Sequence, residues 1–424
     1  MRDRPDPELL LRECHAAAIA AVLPARAMAG PLAALKPGDA PCWIIAAGKA
    51  AHGMAAAIVG WLAEQGRAPA GGIVIGADTS PAPHPGLLAM VGNHPLPGVA
   101  SAHAARAIAD LIAVVPASAE VHVAISGGAS SLLAGPLDTL SFDDVHRTFE
   151  LLLTSGLDIR EMNAVRKRVT RWSAGRLGLA LAPRRVHLWV ISDVIGDDPA
   201  DIGSGPCTGD DWSSGEVAAL LERHDLGVQL PVNVQRSLLL ETPRRDHPAL
   251  AAIEPRIVAT NRIALEAAWQ AALARGVAAE VVSRPIQGEA ADVGRELGRA
   301  AMDVHRASPM IRILGGETTV TIRGPSGAGG RAQEQALAAA EVMQRGPCVL
   351  LAAGTDGRDG MTDAAGAIVS GATWDRAVLA DRDPLADLAQ HDSYASLNAA
   401  GALIRTGPTG TNVMDVVLVA TGWR

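Results

Sequence analysis

Short apolar runs alternate with longer amphipathic stretches along most of this 424-residue chain. The runs at 42–47 (CWIIAA), 72–76 (GIVIG), 121–125 (VHVAI) and 186–192 (VHLWVIS) are bounded by glycine or polar turns, and each predicts a buried strand. Helical periodicity fills the intervals at 50–62, 100–113, 142–154 and 159–181. Further on, 256–260, 280–282, 348–353 and 416–420 predict strands, with helices over 264–275 and 289–305. A β-branched run at 318–322 and a glycine-rich loop at 324–330 lead into an alanine-rich helix that opens at Arg331. Strands alternating with helices predict an α/β fold. Residues 78–98 read as a long Pro-rich loop, and 210–253 as an irregular, mostly helical crossover. The chain is too long for a typical single core, so two α/β domains are expected, 1–245 and 246–424.

With only two Phe and one Tyr, partly replaced by eight Trp, the cores must be largely aliphatic. A net charge of −8 without a basic block argues against a nucleic-acid partner. Cys14, Cys42, Cys207 and Cys348 lie far apart with no CxxC pair, which argues against structural zinc and suits a reducing, cytoplasmic compartment. No apolar run reaches the roughly 20 residues of a membrane span. Ala16 to Leu23 is apolar, but Asp3, Asp6, Glu8 and Glu13 spoil the basic start of a signal peptide, so an amphipathic helix over about 6–23 is expected.

The candidate chemistry sits at the corners. Gly48-Lys49 follows the first strand, where open α/β sheets place ligands, although the spacing is not that of a P-loop. Lys49 is either a phosphate cation or an exposed lysine at a helix start. Ser126, Gly127, Gly128, Ser130 and Ser131 gather N–H and O–H donors between a strand and a helix, as an anion cradle would. Asn163, Arg166, Lys167 and Thr170 share one helical face, which either meets an acidic substrate or is solvated. Asp193 follows a strand, as a metal ligand or base would. His94 either touches a substrate or hydrogen-bonds within its loop. Arg331 opens a helix, where its charge opposes the macrodipole; either an anion compensates or the arginine is simply solvated. Asp356 follows the strand 348–353 in a glycine-rich loop that can approach a polyphosphate–metal cluster.

Together these corners resemble the class II glycerate 2-kinase family, also called the MOFRL family. The residues that carry the resemblance are AAGKAAHGMA around Lys49, GNHPLP from Gly92, SGGASSL from Ser126, MNAVRKR from Met162, SDVIGDDP from Ser192 and GSGP from Gly203, then GGETTV from Gly315, GGRAQEQAL from Gly329, GTDGRDGMTDAAGA from Gly354 and GPTGTNVMD from Gly407. The resemblance implies an N-terminal Rossmann-like three-layer sandwich, a C-terminal MOFRL-type α/β domain and an active site in the cleft between them. It implies transfer of the γ-phosphoryl group of ATP, with Mg2+, to the 2-hydroxyl of D-glycerate. Lys49 and Arg331 would handle phosphate. Asp193 and Asp356 would bind metal or accept the hydroxyl proton, in roles that could be exchanged. The serine–glycine cradle, with Asn163 and Lys167, would meet phosphate or the glycerate carboxylate, and Glu317 would orient Arg331 or bind substrate hydroxyls. A homo-oligomer is compatible with it, and a membrane partner is not expected.

Two other readings stand beside it. Members of this family have carried a hydroxypyruvate reductase label, which requires a nicotinamide site, but no strand is followed by G-x-G-x-x-G. A non-catalytic sugar-acid sensor would keep the cleft without needing acids beside the phosphate cations.

Overall fold

The computed structural model of the protein describes residues 5–36, 38–303, 308–322 and 324–423; Asp3 and the expected helix end at His305 lie outside them. By contacts the chain divides into one unit of Pro24–Val258 and a second that joins the N-terminal segment up to Leu23 to the chain from Ala259 onward.

The first unit is built on a six-stranded sheet of β1 (Cys42–Ala47), β2 (Gly71–Gly76), β3 (Leu87–Val91), β4 (Glu120–Ile125), β5 (Arg185–Ile191) and β6 (Pro255–Ala259). Their order, β3-β2-β1-β4-β5-β6, is that of a doubly wound sheet, and the pairs from β3 through β5 are parallel. Such an order reverses direction between β1 and β4, and ligands bind beyond the strand ends at that point. The core is aliphatic, as the composition requires: Ile45, Ile73, Val121, Val123 and Leu188 are buried between the sheet and its helices. A separate cluster around Phe149, Val165 and Leu220 holds the helices of the second half together.

The second unit carries β7 (Ala278–Val281), β8 (Met310–Gly316), β9 (Val349–Gly354), β10 (Gly366–Ser370), β11 (Leu403–Ile404) and β12 (Asp415–Thr421), in the order β11-β10-β9-β12-β8-β7. This sheet is mixed: β7 runs parallel to β8, whereas β12 is antiparallel to both β8 and β9. Against it lies the helix Arg331–Val342, whose Ala336, Ala338, Ala339 and Ala340 are fully buried. The helix Ala290–Met302 approaches it closely, because a Cβ at Gly294 or Gly298 would press on the backbone oxygen of Gln335 or Ala339. No single helix among the described residues is long and apolar enough to cross a membrane.

Several expectations change here. The chain crosses between units near Val258 rather than 245, because β6 adds to the first sheet beside β5. The first helix, Pro7–Val22, is N-capped by Asp6 and belongs to the second unit. It is tied there by Glu13–Arg275 at 2.6 Å and by the Thr411 hydroxyl donating to the Val22 carbonyl at 2.8 Å. The loop 78–98 contains the edge strand β3. Residues 318–322 form no strand, since Thr319 and Thr321 bond instead to Gly288 and Glu289. The expected helix 159–181 is two helices, Ile159–Arg166 and Arg176–Leu181, joined by turns, and the left-handed Ala174 and Gly175, at φ 53 and 79°, lead into the second.

Candidate active site

In the first unit, Lys49, the Ser126–Ser131 turn and Asp193 follow β1, β4 and β5, around the point where the sheet order reverses. Close backbone approach sets the arrangement. Gly48 has φ 124°, and a Cβ there would overlap the Ser126 hydroxyl and backbone. The Lys49 N–H donates to the Gly127 carbonyl at 2.9 Å, locking the two turns together. Gly127 in turn lies directly under the Asp193 carboxylate, which a Cβ would displace. A Cβ on Gly128 would sit 3.0 Å from the His94 ring and 3.7 Å from Lys49 Cγ. Lys49, His94, Gly127, Gly128 and Asp193 therefore form one cluster.

The five-residue cradle narrows. The Ser126 hydroxyl is buried and accepts the Ala50 N–H at 3.0 Å, so it caps the helix Ala51–Glu64 from outside. The buried Ser131 hydroxyl donates to the Gly128 carbonyl at 3.1 Å. Both are committed to the turn itself, leaving Gly128 and Ser130 as its half-exposed members.

Behind Ser130 runs a buried polar chain. Its hydroxyl lies 2.8 Å from that of Ser204, which donates to Asn163 Oδ1 at 3.2 Å, and Asn163 donates to the Asp201 carbonyl at 2.9 Å. Lys167 is 1% exposed, and its ammonium sits 3.0 Å from Asp210 and 3.5 Å from Asp201. Arg168 closes on the other Asp210 oxygen at 3.1 Å, and the Thr242 hydroxyl donates to the same oxygen at 2.9 Å. The face is thus buried rather than solvated: Lys167 joins Arg168 in an internal ion cluster around Asp210, while Arg166 lies over the Phe149 ring. Burial alone would raise the Asp210 pKa, but Lys167, Thr242 and Arg168 outweigh it and hold the carboxyl below its ordinary range.

In the second unit, Arg331 is the first residue of its helix and is already paired. Its Nε and one terminal nitrogen donate to the two oxygens of Asp415 at 2.7 and 3.0 Å, and its other terminal nitrogen pairs with Glu317. Burial opposes the guanidinium charge, but Asp415, Glu317 and Asp359 outweigh it and raise the pKa. Within these contacts, each terminal nitrogen keeps one N–H for a further acceptor. Asp415 is itself fixed, because the Asn261 amide donates to the carbonyls of Val413 and Asp415 at 2.8 and 2.9 Å. Thr260, not Asn261, caps the helix that starts there. Asp356 accepts the Arg358 N–H at 3.1 Å, and its carboxylate and that of Asp415 both border Gly354, 3.2 and 3.3 Å from where a Cβ would stand.

A profile described as a domain of unknown function, DUF4147, matches residues 10–239, and the MOFRL family profile matches 310–415. The chain is 34% identical to the D-glycerate 2-kinase of Thermotoga maritima over 88% of this chain and 89% of that protein. It is 34% identical to the glycerate 2-kinase of Pyrococcus horikoshii over 77% and 76%. The chain belongs to the class II glycerate 2-kinase family. The crystal structure of the Thermotoga maritima glycerate kinase matches with a TM-score of 0.83 at 32% identity, covering 97% of this chain and 99% of that one. A protein of Agrobacterium vitis that carries a provisional hydroxypyruvate reductase label is 35% identical over 97% of this chain and 94% of its own length.

Within the family motifs, Asp415 and Asp359 were not singled out from sequence. Asp415 ends GPTGTNVMD, but an aspartate at a strand start carries no local signal of an arginine partner. Asp210 lay in the stretch without motifs, and only the surplus of cations at 166–168 called for a buried acid elsewhere.

Proposed function

We propose that the protein phosphorylates the 2-hydroxyl of D-glycerate with ATP, giving 2-phosphoglycerate and ADP. The observation that carries this reading is the cluster of a lysine, a glycine turn and a carboxylate at the reversal point of the sheet in the DUF4147 unit. Phosphoryl transfer needs positioning and neutralised charge more than covalent chemistry. Lys49 supplies a point charge beside the half-exposed glycine turn at Gly128. Arg331 brings its two remaining N–H groups to an anion, with Glu317 and Asp415 fixing the guanidinium plane. The glycerate hydroxyl oxygen attacks the γ-phosphorus and the bond to the bridging oxygen of ADP breaks. The hydroxyl proton passes to a carboxylate, Asp193 or Asp356. Both are half-exposed carboxylates beside close-packed glycine backbone, the donor type hard cations prefer, so either would also hold Mg2+, which neutralises phosphate oxygens when bound. The four cysteines are all free and buried, which supports a reducing compartment such as the cytoplasm.

The reductase reading is favoured only by the label on the Agrobacterium vitis relative. The strand order is one that nicotinamide enzymes use, but the turn after β1 reads GKAAHG, with Ala50 where the fingerprint needs its second glycine, the one that lets the backbone approach a pyrophosphate. The test is ADP release from ATP with D-glycerate and Mg2+, with the product passed to enolase without a mutase. Signal through enolase supports 2-phosphoglycerate. Signal that requires a mutase means attack by the 3-hydroxyl, and NADPH oxidation by hydroxypyruvate without ADP release overturns the kinase reading.

A further inference from the structure

The helix that begins with Arg331 is capped from a distant loop, as the helix Ala51–Glu64 is by Ser126. Seven other helices among the described residues are capped by a side chain at their own N-cap: Asp6, Ser141, Asp158, Ser213, His247, Thr260 and Asp383. Here the N-cap is Gly330, which has no side chain to offer. The cap comes from the loop after β9 instead, where the Asp359 carboxylate accepts the Ala332 N–H at 3.2 Å and the Gln333 N–H at 2.8 Å. Gln333 returns the contact, its side-chain amide donating to the Asp359 carbonyl at 3.2 Å and to the Thr362 hydroxyl at 2.9 Å. Glycine is required on both sides of this joint. A Cβ on Gly330 would overlap the Asp359 carboxylate, and one on Gly360 would overlap the Gly329 carbonyl.

A serine at 330 could satisfy the same helix end locally, without burying a second carboxylate beside Asp415. Two buried acids near one arginine are costly, and burial with the Asp415 charge pushes the Asp359 carboxyl up to about 6. What the distant cap adds is a fixed distance. The loop that supplies Asp359 also carries Asp356, whose own carboxylate is anchored at the Arg358 N–H.

We propose that Asp359 is a positioning residue that holds Arg331 and the Asp356 loop in register for phosphoryl transfer. This rests on the kinase reading. It extends that reading to a residue that need not touch substrate and acts through Arg331.

The test is a double-mutant cycle on the full chain with ATP and D-glycerate, using Asp359→Ala, Arg331→Ala and the double variant, with melting temperatures recorded for each. Asp359→Ala is expected to lower kcat by about 10–100-fold with KM for glycerate changed less than about threefold. In the Arg331→Ala background the same change should cost no more than about twofold, because the residue it positions is gone. Asp359→Asn, which keeps one acceptor oxygen, should recover part of the loss. Gly330→Ala, which leaves Asp359 in place but drives its carboxylate away, should reproduce the kcat loss. Full multiplicative losses in the double variant, or wild-type kcat in Asp359→Ala or Gly330→Ala, would overturn the proposal. A wild-type protein that releases no ADP overturns the kinase reading and this proposal with it, whereas normal wild-type turnover isolates the result to Asp359.

Discussion

Arg331 and Asp415 form a two-point ion pair, Nε to Oδ2 at 2.7 Å and a terminal nitrogen to Oδ1 at 3.0 Å, between the first turn of a helix and the first residue of β12. Asp415 is almost wholly buried, while Arg331 is one-third exposed. The carboxylate is therefore a mount, and the guanidinium projects from it. Asp415→Asn removes the charge and one of the two acceptors. We expect kcat to fall by about 100-fold or more, as for loss of a preorganised charge contact, and stability to fall by about 1–3 kcal/mol. Steady-state kinetics with thermal melts check both, and unchanged kcat would mean Arg331 needs no mount.

Lys49 stands on a turn whose geometry is fixed by backbone rather than by its own side chain: its N–H holds Gly127, and Gly48 allows the close approach. Lys49→Ala should therefore leave the fold intact while lowering kcat by about 100–1,000-fold. Lys49→Arg should recover little, because a planar fork does not replace a point charge in a tight turn. A Lys49→Ala protein with near-normal turnover would remove this residue from the phosphate-handling set.

The first sheet was legible because its strands are short apolar runs that end in glycine corners, and those corners hold Lys49, Gly127 and Asp193. β3 reads LLAMV, an apolar run between Gly86 and Gly92, but it is only five residues long, half exposed at the sheet edge and set in a Pro-rich stretch that reads as loop. β8 is masked in the sequence by the more β-branched residues that follow it, although it is MIRILGG that pairs with β12. At the site, residue types were readable and partners were not. Lys167 and Arg331 both look like open cations in sequence, and both are met by acids, Asp210 and Asp415, brought in by tertiary structure.

That difference makes Lys167 a sharp test. If it bound substrate, its loss would raise KM. Its ammonium is enclosed by Asp210 and Asp201, so its loss should act on stability. Lys167→Met, close in volume but uncharged, leaves Asp210 to Arg168 and Thr242 alone and should cost about 3–5 kcal/mol. KM for glycerate should stay within about threefold in whatever fraction remains folded. A KM raised tenfold without loss of melting temperature would return Lys167 to the substrate site.

Acid should weaken the protein through its buried histidines. His122 lies among Trp61, His187 and Trp189, and its Nδ1 accepts the Trp189 indole N–H at 3.1 Å. Burial, then His187 and the arginines 256, 67 and 185, lower its pKa from 6.5 to about 3. His15 is lowered to about 4 by burial and Arg12. In both cases the unfolded chain takes up a proton near pH 6.5 and the folded one does not until much lower pH. Stability contributed by each is therefore present above pH 6.5 and is lost as pH falls toward the folded pKa, by about 2 kcal/mol per histidine at pH 5. Asp359 works in the opposite sense, since its raised pKa favours the folded state as pH falls from about 6 toward its unfolded value. Two histidines outweigh one aspartate, so the melting temperature should drop between pH 7 and 5. His122→Asn keeps an acceptor for Trp189 but cannot take up that proton. It lowers the melting temperature at pH 7 by leaving a cavity, yet the drop from pH 7 to 5 should be smaller than in the wild type. Equal drops in the two proteins would show that His122 does not set the acid limit of this fold.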